Sequence, residues 1–148
     1  MTSCEVLKSA VAEPRPCWNA ERPWRPTSLA RVLIVEDDAD LRRGLGLWLR
    51  HQGFDVTAVG DGAAGLGAVE QHEPDILLLD LGLPRMHGFK VLHQLRHRSV
   101  AAPRTIVLTA AGGEGIRERA LHSGADALLH KPVDNARLLQ TIDDLLRS

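Results

Sequence analysis

Four carboxylates, a hydroxyl and an ammonium stand where apolar runs of the chain end. Glu36-Asp37-Asp38 follows Val32-Leu33-Ile34-Val35, and Asp80 follows Ile76-Leu77-Leu78-Leu79. Thr109 closes Ile106-Val107-Leu108, and Lys131-Pro132 comes just after Ala127-Leu128-Leu129. Carboxylates held close together repel, and they do not all stay ionised cheaply without a cation. Oxygen ligands with room for water suit Mg2+, which keeps several waters and takes one or two carboxylates together with phosphate oxygens. A nearby lysine adds a second positive charge, and a threonine hydroxyl adds a donor. Cation, ammonium and hydroxyl are the parts that hold a phosphoryl group and spread its charge. A carboxylate in that field can act as the nucleophile and become an acyl phosphate.

Each group also has an ordinary structural role open to it. Acids after a strand can cap the next helix and favour its dipole. Asp80 can cap its own loop, Thr109 can be a plain strand-end threonine, and Lys131 can be a surface lysine. These local roles weaken jointly if separate segments bring the four groups to one place.

The elements needed to do so are visible in the patterning. Continuous apolar runs as short as Val32–Val35, Ile76–Leu79 and Ile106–Leu108 suit strands buried on both faces of a parallel sheet, with Ala127–Leu129 a weaker fourth. Phe54-Asp55-Val56-Thr57-Ala58 alternates, as a half-exposed edge strand does. Leu41, Leu45, Trp48 and Leu49 form a helical stripe, and Leu138, Leu139, Ile142, Leu145 and Leu146 form another. Asp61-Gly62, Pro84, Gly88 and Gly124 punctuate the joints. Strand and helix alternate five times over residues 31–148, which predicts a doubly wound α/β fold with a five-stranded parallel sheet. In the strand order 2-1-3-4-5 the four equipped strands are neighbours and the unequipped second is an edge. Ligands of such sheets bind at the carboxyl ends of the strands.

The overall numbers exclude several classes. A length of 148 residues fits one ordinary domain. With 18 basic against 19 acidic residues the net charge is −1, which argues against a nucleic-acid surface. Aromatic residues are 3%, too few for base-stacking platforms. No apolar run reaches the roughly 20 residues of a membrane span. Residues 1–30 hold four of the eight prolines and no glycine, and they read as a flexible leader outside the fold or a start-site artefact. The alternative is a docking arm anchored by Trp18 and Trp24. Cys4 and Cys17, both in the leader, make neither a disulfide scaffold nor a metal site, so a cytoplasmic setting is expected.

Taken together, Val32–Asp38, Asp80-Leu81-Gly82-Leu83-Pro84-Arg85-Met86-His87-Gly88, Leu108-Thr109-Ala110 and Gly124-Ala125-Asp126 leading to Lys131-Pro132 resemble the receiver domain of two-component response regulators. The likeness, chemotaxis-regulator-like, covers residues 31–148. It implies the flavodoxin-like receiver fold and a role for each matching position. Asp80 matches the phosphoacceptor. Asp37 matches a direct Mg2+ ligand, Glu36 one acting through water, and the backbone carbonyl of Gly82 the third protein ligand. Thr109 matches the switch hydroxyl, and Lys131 the lysine that pairs with a phosphoryl oxygen, with a cis Lys131–Pro132 bond. Asp38 matches a variable position. Leu128 departs from a frequent aromatic, Val133 from Phe, Gly82 from Met and His87 from Asp, and none of these changes removes a group that does chemistry.

The resemblance implies a signalling switch that takes a phosphoryl group from a phosphohistidine of a histidine kinase or phosphotransfer protein and then changes partner binding. The output face is expected over Glu114–Ser123, Asp126–His130 and Asn135–Arg147, with the Gly112-Gly113 loop giving the first of these freedom to move. With Ser148 as its last residue, the chain is expected to be a stand-alone receiver or part of a longer one. Two other functions are weighed: an Asp-nucleophile phosphohydrolase, which needs a cap domain or long insertions, and a degenerate receiver serving as a constitutive interaction module, against which the complete residue set argues. Zinc binding by His93 and His97 lacks further ligands at suitable spacing. Gly112-Gly113-Glu114-Gly115 lacks the Lys-Ser/Thr of a phosphate-binding loop, and Gly44 and Gly46 lie inside a helical pattern where a dinucleotide fingerprint does not fit.

Overall fold

A computed structural model describes residues 30–83, 87–97, 102–110 and 114–147. The leader with its two tryptophans, the Pro84-Arg85-Met86 part of the motif after Asp80 and the Gly112-Gly113 loop lie outside the described residues. The order of elements is β1 (Arg31–Val35), α1 (Ala39–His51), β2 (Asp55–Val59), α2 (Gly62–His72), β3 (Ile76–Asp80), α3 (Gly88–Arg96), β4 (Arg104–Thr109), α4 (Glu114–His122), β5 (Ala127–His130) and α5 (Asn135–Arg147). The strands form one parallel sheet in the order β2-β1-β3-β4-β5.

The continuous apolar runs are buried on both faces because successive side chains point to opposite sides of a strand. Val32, Ile34, Ile76, Leu78, Ile106 and Leu108 pack under α1 and α5, where Leu45, Leu49, Leu138 and Ile142 meet them. Leu33, Val35, Leu77, Leu79 and Val107 pack under α2, α3 and α4 against Val69, Val91, Leu92 and Ala120. Two cores back to back are what a doubly wound sheet requires. The helical stripes of α1 and α5 are the faces that close one of them.

β2 is an edge strand as expected, but it begins at Asp55 rather than Phe54 and its burial does not alternate cleanly, since Val56 is buried whereas Ala58, expected on the same face, is exposed. The Phe54 N–H donates to the carbonyl of Leu49, closing the end of α1 instead of entering the sheet. Contacts of the sheet begin at Ala30, which is buried and whose carbonyl accepts from the Asp55 N–H. Gly44 and Gly46 both lie within α1, as their spacing predicts.

The amino edge of the sheet is held by two acids that precede strands. Asp75 Oδ2 accepts from the Arg31 N–H at 2.9 Å, and Asp126 Oδ2 accepts from the Thr105 N–H at 2.8 Å. Each pair is reciprocal, since the Asp75 and Asp126 N–H groups donate back to the carbonyls of Arg31 and Thr105.

Candidate functional site

At the carboxyl edge the ladder continues one residue past β1, β3 and β5 and so fixes the backbone at Glu36, just after Asp80, and at Lys131. The Glu36 N–H donates to Val59 O at 3.1 Å, the Leu81 N–H to Leu108 O at 3.1 Å, and the Lys131 N–H to Thr109 O at 2.8 Å. Val35 pairs with Leu79, so Glu36 comes level with Asp80 on the neighbouring strand. Thr109 pairs with His130, which sets Lys131 one step beyond it. The Lys131–Pro132 bond is cis, as the resemblance implies.

The side chains then meet. Lys131 Nζ lies 2.9 Å from Glu36 Oε1 and 3.3 Å from Asp80 Oδ1. Carboxylate oxygens of Glu36, Asp37 and Asp80 all lie within 4.8 Å of one another. Glu36 and Asp80 are buried whereas Asp37 is exposed, so the cluster has a closed floor and an open rim. Thr109 is buried at the end of β4, beside the Lys131 backbone it binds. Gly82 donates its N–H to Asp80 Oδ1 at 3.0 Å, which turns the chain back over the carboxylate.

Burial pushes the Glu36 carboxyl above its ordinary range, and the Asp80 charge adds to this, against the opposing pull of Lys131 and of the Asp38 N–H. Burial acts to lower the Lys131 pKa, but Glu36 and Asp80 outweigh it and hold the ammonium above the usual lysine value. One lysine is therefore held charged among carboxylates that it does not fully compensate.

The run Glu36-Asp37-Asp38 divides by role. Asp38 is the N-cap of α1, its Oδ1 accepting from the Asp40 and Leu41 N–H groups at 3.0 and 3.2 Å. Glu36 Oε2 accepts from the Asp38 N–H at 3.2 Å. Glu36 Oε1 is buried and lacks an aligned hydrogen-bond donor among the described residues, although Lys131 Nζ is close enough for an ion pair. A buried carboxylate oxygen with a poorly directed partner, in an all-oxygen set open on one side, fits a hydrated Mg2+ ion. Glu36, Asp37 and Asp80 are the side chains that would hold it.

Several contacts around the site were not legible in the sequence. A Cβ on Gly88 would come within 2.8 Å of both the Asp80 carbonyl oxygen and Leu81 Cα, so only glycine lets α3 start this close to the Asp80 backbone. His87 caps α3 through Nδ1, accepting from the Phe89 N–H at 3.3 Å, and its ring stacks on Phe89 with centroids 5.4 Å apart. The Arg119 guanidinium of α4 lies 4.0 Å from the Phe89 ring centroid, joining α4 to the start of α3. Leu128 is 3% exposed and packs in the core under α4. His93 and His97 meet edge to face with centroids 4.4 Å apart, away from the carboxylates in sequence and element.

This sheet, with an acid cluster and a lysine at its carboxyl edge, defines a receiver-type α/β domain. The family model for the response regulator receiver domain matches residues 32–143, and the chain belongs to that family. It is 42% identical over 117 residues to the transcriptional activator protein PfeR of Pseudomonas aeruginosa, an alignment covering 79% of this chain and 38% of that protein. It is also 42% identical to the sensory transduction protein RegX3 of Mycolicibacterium smegmatis, covering 80% of this chain and 51% of the relative. The chain thus spans about half or less of the length of these curated relatives. Among solved structures, a response regulator receiver domain protein from Methanospirillum hungatei aligns with a TM-score of 0.74 at 30% identity, covering 80% of this chain and 94% of the other. Among the described residues no helix is long and apolar enough to cross a membrane.

Proposed function

We propose that the chain is a phosphorylation-controlled switch in which Asp80 accepts a phosphoryl group from a phosphohistidine of a histidine kinase or phosphotransfer protein. An Asp80 carboxylate oxygen attacks phosphorus, the bond from phosphorus to the imidazole nitrogen breaks, and the imidazole leaves with the electron pair. The product is an acyl phosphate. Glu36, Asp37 and the Gly82 carbonyl, with Asp80, would hold Mg2+, which offsets the charge between carboxylates and phosphoryl oxygens when bound. Lys131 pairs with a phosphoryl oxygen. Thr109 turns its hydroxyl toward the phosphoryl group and passes the change to α4. Because Leu128 is a fixed apolar contact, the response is carried by α4, and partners or a second copy are met on the α4-β5-α5 face. The relative from Pseudomonas aeruginosa is named a transcriptional activator, which supports gene expression as the downstream process. The chemistry is self-directed and suits a cytoplasmic protein, with neither nucleic acid nor membrane bound by this domain.

One observation carries this reading: Lys131 Nζ stands 3.3 Å from Asp80 Oδ1 in a cluster of three carboxylates. A structural lysine needs one partner, whereas this arrangement retains anionic capacity for a cation and presents an ammonium to an incoming anion. Incubation with phosphoramidate and Mg2+, followed by intact mass measurement, should show a single base-labile phosphoryl adduct. The adduct should vanish on removal of Mg2+ and in Asp80→Asn. An adduct of equal yield in Asp80→Asn would overturn the assignment.

A further inference from the structure

We propose that Arg42 is a positioning residue for the divalent cation, holding the acidic turn Glu36–Asp38 in the shape that presents its carboxylates. The inference rests on Glu36, Asp37 and Asp80 being the cation site. Arg42 Nη1 donates to the Glu36 carbonyl at 2.7 Å. Its own backbone N–H donates to the Asp38 carbonyl at 2.9 Å, so Arg42 closes the first turn of α1 and also reaches back to a carbonyl two residues before that turn. The acidic turn is bracketed from both sides by one residue.

The guanidinium also meets a second loop. A Cβ on Gly60 would lie 3.1 Å from Arg42 Nη1 and 3.7 Å from Cζ, so the absence of a side chain at Gly60 leaves room for the clamp. Gly60 follows Val59, whose carbonyl accepts from the Glu36 N–H. Glu36 is thus held at its N–H by Val59, at its carbonyl by Arg42 and at Oε2 by the Asp38 N–H, while Oε1 faces Lys131 Nζ at 2.9 Å. A guanidinium suits this task because it is always charged and its donors are fixed in a plane. Outer groups that orient ligands govern metal affinity without touching the metal.

The test is a calorimetric titration of the whole chain with Mg2+ alone, alongside thermal melts without metal. Wild type should bind and Asp37→Ala should not; if wild type fails to bind, or Asp37→Ala binds as tightly, the cation site itself is wrong and the inference falls with it. Given that site, Arg42→Ala should raise the Mg2+ Kd about tenfold, the lower end of what loss of an orienting partner costs. Arg42→Lys should recover most of the affinity, since an ammonium can also donate to a carbonyl. Asp75→Ala, at the other edge of the sheet, should lower the Tm and leave the Kd unchanged, which separates positioning from general destabilisation. A wild-type Kd in Arg42→Ala overturns the proposal whatever its Tm. Should Arg42→Ala not fold, Arg42→Met keeps the length of the side chain without its donors and carries the test: a weakened Kd supports the clamp, and a wild-type Kd overturns it.

Discussion

Acids occupy both edges of the same sheet, with Asp75, Glu36 and Asp80 buried and Asp126 exposed, and their partners differ. At the amino edge Asp75 and Asp126 each accept a backbone N–H from the start of a neighbouring strand, in reciprocal pairs. These carboxylates complete the ladder. At the carboxyl edge Glu36 and Asp80 also accept one backbone N–H each, from Asp38 and Gly82, but the two share one ammonium, and Glu36 Oε1 lacks an aligned donor among the described residues. Residue type and a place at a sheet edge do not by themselves distinguish the two sets. What separates them is whether the carboxylate closes a reciprocal backbone pair between strands or sits with a second buried carboxylate around one shared lysine.

The largest expected effect comes from removing the shared cation. Lys131→Ala should slow phosphoryl uptake by roughly 10²–10³-fold, the usual cost of one preorganised charge donor. The same variant should bind Mg2+ more tightly, because the carboxylates lose their internal competitor. Rates with phosphoramidate and a Mg2+ titration check both halves; uptake at the wild-type rate would put Lys131 outside the chemistry.

Next comes the amino edge. Asp75→Ala strips the Arg31 N–H of its acceptor and should cost about 1–3 kcal/mol, seen as a Tm lower by several degrees. Phosphoryl uptake by the folded fraction should stay at the wild-type rate. A large loss of uptake at full folding would mean that the two edges are not independent.

A smaller effect concerns pH. Glu36 is held above its ordinary 4.5, mainly by burial. The folded state then binds that proton more tightly than the unfolded chain does. Its stabilising contribution is complete below the unfolded value and is lost as pH rises through the folded value. Without metal, Glu36→Gln should therefore gain in Tm over wild type as pH rises from about 4.5 to neutrality. Saturating Mg2+ should stabilise wild type more than the variant, since it binds the folded form. A Tm difference that is flat with pH would show that the carboxylate is not burdened. The smallest effect is expected from deleting residues 1–28, which removes no described element: the Tm should move by less than about 5 °C. A greater fall would show that Trp18 or Trp24 packs on the domain.

Much of this arrangement was legible from patterning. Apolar runs gave the buried strands, alternation gave the edge strand, and the groups that end the runs gave Glu36, Asp37, Asp80, Thr109 and Lys131. What was not legible depends on backbone partners or on distance. Asp38 is indistinguishable in sequence from its two acidic neighbours, and only its bonds to the Asp40 and Leu41 N–H groups make it a cap. Arg42 is one of two adjacent arginines, and its role lies in a carbonyl that no side-chain pattern encodes. Gly88 reads as punctuation, yet it is the close approach of α3 to the Asp80 backbone. Arg119 meets Phe89 from another element, a pairing that helical spacing does not reveal.

The central claim is that the incompletely compensated edge is where phosphorus is taken up. Its most direct test is to phosphorylate the protein with phosphoramidate and Mg2+, reduce the product with borohydride, and map the peptides. An acyl phosphate at Asp80 should appear as homoserine at residue 80, only when Mg2+ was present, while Asp75 and Asp126 remain aspartate. Homoserine at residue 75 or 126, or none at residue 80 in protein that carries phosphate, would contradict the account.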